Sequence, residues 1–283
     1  MAVRRTRALV ANGAVAVLTA LTVAPLFYMV AVSFMPRGQS STLPTPLWPS
    51  RWTWENYHEL LARRLIDGAW FDYRIVPALW NSLGVAAIST LLGLILTVPA
   101  GYAFAKLRFR GRERLLQLLI ASLVVPGQVA MLPLFLIFKE LGLVNSYAGV
   151  ILPSLAGIFA ILFVRQATLA IPDEMIDAAR IDGASEARIF VAIVLPLLTP
   201  IVVTLALFMF LGSWNDFLWP LIVLADQHLY TLPVAVAAIS REHAADGELM
   251  MASAVVTTLP VLLLFLALQR YYLTGLLGGS VKG

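Results

Sequence analysis

The stretch Ile171–Pro196, IPDEMIDAARIDGASEARIFVAIVLP, is a charged segment set between two long apolar ones. Local rules read it as two short helices hinged at a glycine. Pro172 suits a first helical position, where its missing N–H leaves nothing unpaired. Asp173, Glu174 and Asp177 follow in the first turns, where negative charge complements the helix dipole. Asp182-Gly183 reads as a stop, since glycine takes left-handed backbone at a helix C-terminus at least cost. Ser185 caps a second helix that runs into the apolar segment beyond Phe190. An ordinary solvated loop is the plain alternative to this helix–glycine–helix elbow.

The rest of the chain gives the elbow its setting. Of 283 residues, 60% are hydrophobic and 13% charged, against about 25% charged in soluble domains. Mean hydropathy is +0.86. This is the composition of a polytopic membrane protein. With no cysteine, disulfides, thiolate metal sites and cysteine nucleophiles are excluded. The net charge of +4 and pI near 9.6 do not imply a nucleic-acid partner. The basic residues flank apolar runs, where membrane topology accounts for them.

Six spans are predicted. Arg4, Arg5 and Arg7 precede an uncharged run, Ala8–Phe34, longer than the roughly 7–15 residues of a signal-peptide core. It reads as a retained first span, so 1–34 is the N-terminal tail and first helix. The loop 35–78 is rich in proline and tryptophan, in the manner of an interfacial belt. Within it Trp54–Leu65 reads as a short helix capped by Thr53 and lying on the membrane surface. A core of five spans, 79–270, follows: Leu79–Ala105; Leu115–Phe138, interrupted at Pro126-Gly127-Gln128; Tyr147–Val164; Leu197–Trp219; and Leu249–Gln269. Between the last two lies a polar loop, Ala225–Glu248, and 271–283 is a short tail. Spans broken by proline and glycine are tolerable where neighbouring helices or water satisfy the freed backbone, which favours a bundle around a cavity.

Charge sets the orientation. With the N-terminus inside, the tail, the basic turn Lys106–Arg114, the elbow side and the C-terminus hold thirteen Lys and Arg, the opposite loops seven. Five of those seven lie in the long first loop, which counts for less. Both termini and the elbow 171–196 are therefore expected in the cytoplasm.

Missing chemistry narrows the function. There is no G-x-x-x-x-G-K-[ST] to cradle a nucleotide, no H-E-x-x-H and no G-x-S-x-G, and His58, His228 and His243 are scattered. No catalytic, metal or cofactor-binding residue is assigned, and an enzyme is disfavoured. Asp216, in Gly212-Ser-Trp-Asn-Asp-Phe-Leu-Trp-Pro220, is the conspicuous carboxylate of the spans. It either lines a polar path, as intramembrane charges usually do, or sits at the outer interface beside Trp214 and Trp219. Asn215 and Gln128 are candidates for the same path. A stand-alone secondary transporter or channel for a small polar solute remains open on these residues.

Asp177-Ala178-Ala179, Gly183 and Ile193-x-Leu195-Pro196 resemble the EAA loop of permease subunits from binding-protein-dependent ABC importers. Tyr102-Ala-Phe-Ala105 with Phe109-Arg-Gly111, Ile181-Asp-Gly-Ala-Ser185, Trp214-Asn-Asp-Phe217 and the closing Gly279-Ser-Val-Lys-Gly283 are similar to the carbohydrate-uptake branch. One departure is Asp177, where the family motif has Glu; the charge is kept with one methylene less reach. The resemblance implies an all-α, type I importer (MetI-like) permease fold in the inner membrane. It implies ATP hydrolysis, with Mg, in two separate ATPase subunits, and a different second permease and an extracytoplasmic solute-binding protein as further partners. The elbow is then a coupling helix seated in the ATPase. Asp177 is expected to pair with a basic ATPase residue, Ala178 and Ala179 to permit close packing, and Gly183 and Pro196 to shape the lever. With almost no basic residue in the spans, neutral sugars are the expected cargo.

Overall fold

A computed structural model describes residues 2–61, 64–66, 69–71, 74–242 and 246–277. The closing Gly279–Gly283 motif and His243 lie outside them. The described chain is helical apart from one two-stranded hairpin, β1 (Arg64–Ile66) against β2 (Ala69–Phe71). Its helices are α1 (Ala2–Ser33), α2 (Glu55–Leu61), α3 (Ile75–Lys106), α4 (Arg112–Ser122), α5 (Gly127–Glu140), α6 (Tyr147–Ser154), α7 (Ile158–Leu169), α8 (Asp173–Ile181), α9 (Glu186–Leu197), α10 (Thr199–Trp214), α11 (Leu218–Val223), α12 (Leu232–Glu242) and α13 (Gly247–Leu277).

Among the described residues, four stretches are long and apolar enough to cross a membrane: Ala11–Ser33, Ile75–Lys106, Tyr147–Leu169 and Gly247–Ala267. Two further apolar stretches are broken pairs, α4 with α5 at 103° and α9 with α10 at 79°. The third span is thus sharply bent rather than merely interrupted. Pro126, with φ −60° and ψ 129°, stands as the cap of α5, and a proline disfavours helical backbone in the residue before it. The fifth span is shorter than expected. It ends at Trp214, and Asn215–Phe217 separate it from α11.

The chain forms two compact units. The first comprises 1–77 and 234–260. There the loop after α1 is pinned by buried polar groups: Asn56 Nδ2 donates to the carbonyls of Ser33 and Met35 at 2.9 Å, and Ser33 Oγ lies 2.8 Å from Tyr57 OH. Asn56 and Leu60 are fully buried. The loop helix is shorter than the expected Trp54–Leu65: α2 covers Glu55–Leu61 and packs against the end of α1. Thr53 does cap it, its Oγ1 accepting from the Glu55 N–H at 3.1 Å. Ser40 N–H donates to the buried Glu248 carboxylate at 2.7 Å, tying the same loop to the start of α13.

The second unit comprises 78–233 and 261–283 and has two apolar clusters. One joins Val85 of α3, Phe138 of α5, Val150 and Ile151 of α6 and Trp219 and Val223 of α11, with Trp219 Nε1 donating to the Gly149 carbonyl at 2.9 Å. The other joins Val98 and Tyr102 of α3, Ala160 and Val164 of α7, Ile176 of α8, Ile189 and Val194 of α9 and Leu205 of α10. A Cβ on Gly101 would fall 2.6 Å from Val164, so α3 and α7 meet where only glycine fits. The expected loop Ala225–Glu248 is instead partly helical, since α12 occupies Leu232–Glu242. Before it, Asn81 Nδ2 donates to the His228 and Tyr230 carbonyls and Ser82 Oγ accepts from the Leu232 N–H.

Candidate functional site

The elbow forms as its local chemistry demands, with one shift. Pro172, at φ −57° and ψ 135°, is the cap residue rather than the first helical one, and α8 begins at Asp173. Its extended ψ follows from the chain's entry out of α7, and its missing N–H costs nothing there either. At the other end, Ala184 N–H bonds the Ala179 carbonyl and Gly183 N–H that of Arg180, both at 3.0 Å. This is the Schellman pattern of C-terminal capping. It requires Gly183 at φ +79°, and nothing lies within 4 Å of a Cβ placed there. Ser185 then caps α9, its Oγ accepting from Arg188 N–H at 3.4 Å.

α9 does not run straight into the span. Pro196 lacks the N–H that would bond four residues back. The turn before it is widened over Phe190–Val194, with Leu195 N–H reaching the Phe190 carbonyl. Pro200 removes the next such donor, and the chain bends 79° at Leu198 between α9 and α10. The elbow therefore has two corners, Gly183 and Leu198, where the sequence suggests one.

Packing fixes one face of α8 and leaves the other free. Ile176 is 1% exposed and Ile189 fully buried in the cluster shared with α3, α7 and α10. Asp177 and Ala178 face outward, Ala179 is half-buried, and Gly183 and Pro196 are exposed. Two apolar residues share this outer surface: Met175 at 45% and Ile181 at 87% exposure. A bare isoleucine beside the hinge is the feature that the sequence reading missed; its signal was an apolar side chain at the end of an otherwise one-sided helix.

Ion pairs knit the elbow to itself and to the end of α3. Arg180 donates through Nη1 to Asp177 Oδ1 at 2.8 Å and through Nε to Glu186 Oε1 at 2.7 Å, so it bridges α8 and α9. Glu186 Oε2 accepts from Tyr102 OH at 2.8 Å. Lys106 Nζ, only 7% exposed along its side chain, donates to Asp173 Oδ1 at 2.5 Å and to the Ile171 carbonyl at 2.7 Å. That hydrogen bond and the lysine charge hold the Asp173 carboxyl below its ordinary range. The charged groups border an open cleft of about 850 Å³ lined by Lys106, Arg108, Arg112, Asp173, Asp177 and Arg180. Asp177 thus has an internal partner already, and the short Asp side chain suits this i,i+3 pair.

The three path candidates are not drawn into one constellation. Gln128 is exposed in the first turn of α5. Asn215 Nδ2 donates back to the Leu211 carbonyl at 2.9 Å. Asp216 is partly buried and accepts from the Trp219 N–H, next to Phe217, the cap residue of α11.

Comparison with known families bears on what such an elbow serves. Residues 89–276 match the model of the binding-protein-dependent transport system inner membrane component. The chain belongs to this family. Its members are membrane components of ABC importers, which decides against both the enzyme and the stand-alone transporter readings. The family's match runs through the elbow and every element packed on it. Among its members, the chain is 35% identical over 265 residues to the arabinooligosaccharides transport system permease protein AraQ of Halalkalibacterium halodurans, covering 93% of this chain and 92% of that one. It is 36% identical over 203 residues to the lactose transport system permease protein LacG of Rhizobium radiobacter, covering 72% and 74%. In fold it matches a chain of a bacterial ABC transporter that imports the acidic polysaccharide alginate, with a TM-score of 0.81, 20% identity and coverage of 95% and 97%. The type I importer permease fold and a multi-pass place in the inner membrane follow.

Proposed function

We propose that this family member is the sugar-importing permease of an ATP-driven system, with six spans, both termini cytoplasmic, and 171–196 as its coupling elbow. Four continuous spans and two broken pairs support six crossings when each pair counts as one span, and the charge count supports a cytoplasmic elbow. Its partners are a different second permease, two ATPase subunits that use ATP with Mg, and an extracytoplasmic solute-binding protein. Neutral oligosaccharides are the favoured cargo, in keeping with the arabinooligosaccharide and lactose systems named for its relatives. The core 79–270 carries the path, which Gln128, Asn215 and Asp216 border at separate points.

The observation that carries the reading is the outer face of α8: Asp177, Ala178 and Ile181 exposed together beside a hinge at Gly183. Met175 and Ile181 expose apolar surface on the same helix amid charged residues, in keeping with a contact surface, and small Ala178 lets a partner approach the backbone. Half-buried Ala179 serves that packing from beneath, and Pro196 sets the second corner of the lever. The test is Asp177→Lys in the chain co-expressed with its cognate ATPase and second permease. Charge reversal is expected to reduce the ATPase recovered on purification while the two permeases still associate. Normal recovery of the ATPase would remove Asp177 from the interface.

A further inference from the structure

The elbow joins α10 through the bend at Leu198. The hydrogen bonds at the end of α3 are a separate matter. Tyr102 and Lys106 are one turn apart on α3 and so share a face. Each grips a different arm of the elbow at its start: Lys106 holds Ile171 and Asp173 at the entry to α8, and Tyr102 holds Glu186 at the entry to α9. Arg180 closes the third side, joining Asp177 of α8 to Glu186 of α9 across the glycine turn. Beneath these polar contacts Tyr102 packs on Phe190 at 5.3 Å between ring centres, and Ile171, Ile176 and Ile189 fill the space. We propose that Tyr102 and Lys106, with Arg180 at the corner, clamp both arms of the elbow to α3, so that a push received at α8 moves α3 and α10 together.

The physical case is redundancy of a particular kind. A single tether would let the elbow pivot about it, and the glycine turn would take up the movement. Two tethers one turn apart, with a guanidinium bracing the arms, leave no free rotation about either. Arginine suits the corner because its planar fork holds two carboxylates in fixed directions, which a lysine ammonium does not. Lys106 is largely buried, whereas Asp173 is 75% exposed, so solvent screens the ion pair on its carboxylate side and the bond to the Ile171 carbonyl is the sheltered part of the contact. The inference rests on the reading that an ATPase drives α8.

The test uses the assembled transporter in liposomes with its ATPases, second permease and binding protein. Because the chain has no cysteine, spin labels can be placed at Leu96→Cys on α3 and Ala187→Cys on α9, both exposed. The clamp predicts one label distance, unchanged between the nucleotide-free state and the state trapped with ATP and vanadate. In Tyr102→Phe/Lys106→Met the distance should shift on trapping, and stimulation of ATP hydrolysis by the binding protein should fall about tenfold, the scale of one charge-assisted hydrogen bond. Lys106→Arg should restore the single distance, which a merely structural role of that residue would not require. A distance that changes in the parent protein, or one that stays fixed in the double variant, overturns the clamp. Should the double variant fail to assemble, Tyr102→Phe alone, which removes one oxygen, decides by the same distance. Failure of the parent chain to hold any ATPase would instead overturn the coupling reading.

Discussion

Replacement of Gly183 separates backbone strain from steric effects unusually well. Its φ is +79° and nothing lies within 4 Å of a Cβ built there, so alanine meets no clash and only the left-handed backbone is penalised. That penalty is about 1–2 kcal/mol, which lowers the population of the hinged elbow roughly 5–30-fold relative to straighter forms. Asparagine tolerates left-handed backbone and should behave much like glycine. Proline fixes φ near −65° and removes the N–H that bonds the Arg180 carbonyl, so it abolishes the turn rather than taxing it. The assay is ATP-driven uptake in liposomes holding the whole transporter, alongside recovery of the chain from membranes. Uptake should rank Gly, Asn, Ala, Pro in descending order, with insertion unchanged throughout. Equal uptake by Ala and Pro, or Asn as harmful as Ala, would refute the argument that the left-handed turn is what matters.

Ile181→Asp exposes no new surface in this chain, since Ile181 is already 87% exposed; its thermal midpoint should not move. Burying an isoleucine is worth about 1.5–3 kcal/mol, so ATPase affinity, read by titration in detergent, should drop at least tenfold. Trp219→Phe leaves the Gly149 carbonyl without the indole donor and should destabilise the helix cluster by about 1–3 kcal/mol, seen as a lower midpoint with unchanged ATPase binding. The Asp173 carboxyl is depressed below its ordinary 3.8 in the folded chain. Its pairing therefore stabilises fully above that value and is lost as pH falls through the lower, folded one. The gap in thermal midpoint between the parent and Asp173→Asn should be constant from pH 8 to about 5 and close only in stronger acid; a gap that closes near neutrality would contradict the pairing.

How much of this was legible depends on whether the determining contact was local. Asp182-Gly183 and Ser185 mark the hinge and second arm because a cap is a property of a few consecutive residues, and both are as read. The apolar runs likewise marked the four continuous spans among the described residues. The bends of 103° and 79° were not legible as angles: Pro126, Pro196 and Pro200 say where a helix must yield, while packing across the bundle decides how far. Helix α12 was missed although Leu232, Ala235 and Ile239 recur on one face just after Thr231 and beside Pro233; the polar residues around them dominated the reading. Nothing in the sequence could pair Tyr102 with Glu186, 84 positions away, since that contact exists only once α3 and the elbow share a core. Asp216 is conspicuous in the sequence as a carboxylate among apolar residues, which suits a polar path and an outer interface equally; its contact with the Trp219 N–H appears only in the fold.

The claim at the centre of the account is that α8 meets an ATPase. A single cysteine introduced at position 181 of this cysteine-free chain, carrying a short photoactivatable cross-linker, tests it in native membranes expressing the full set of subunits. The account predicts one dominant product, joined to the ATPase subunit, and its loss in Asp177→Lys. A product joined to the second permease or the binding protein, with none to the ATPase, would contradict it.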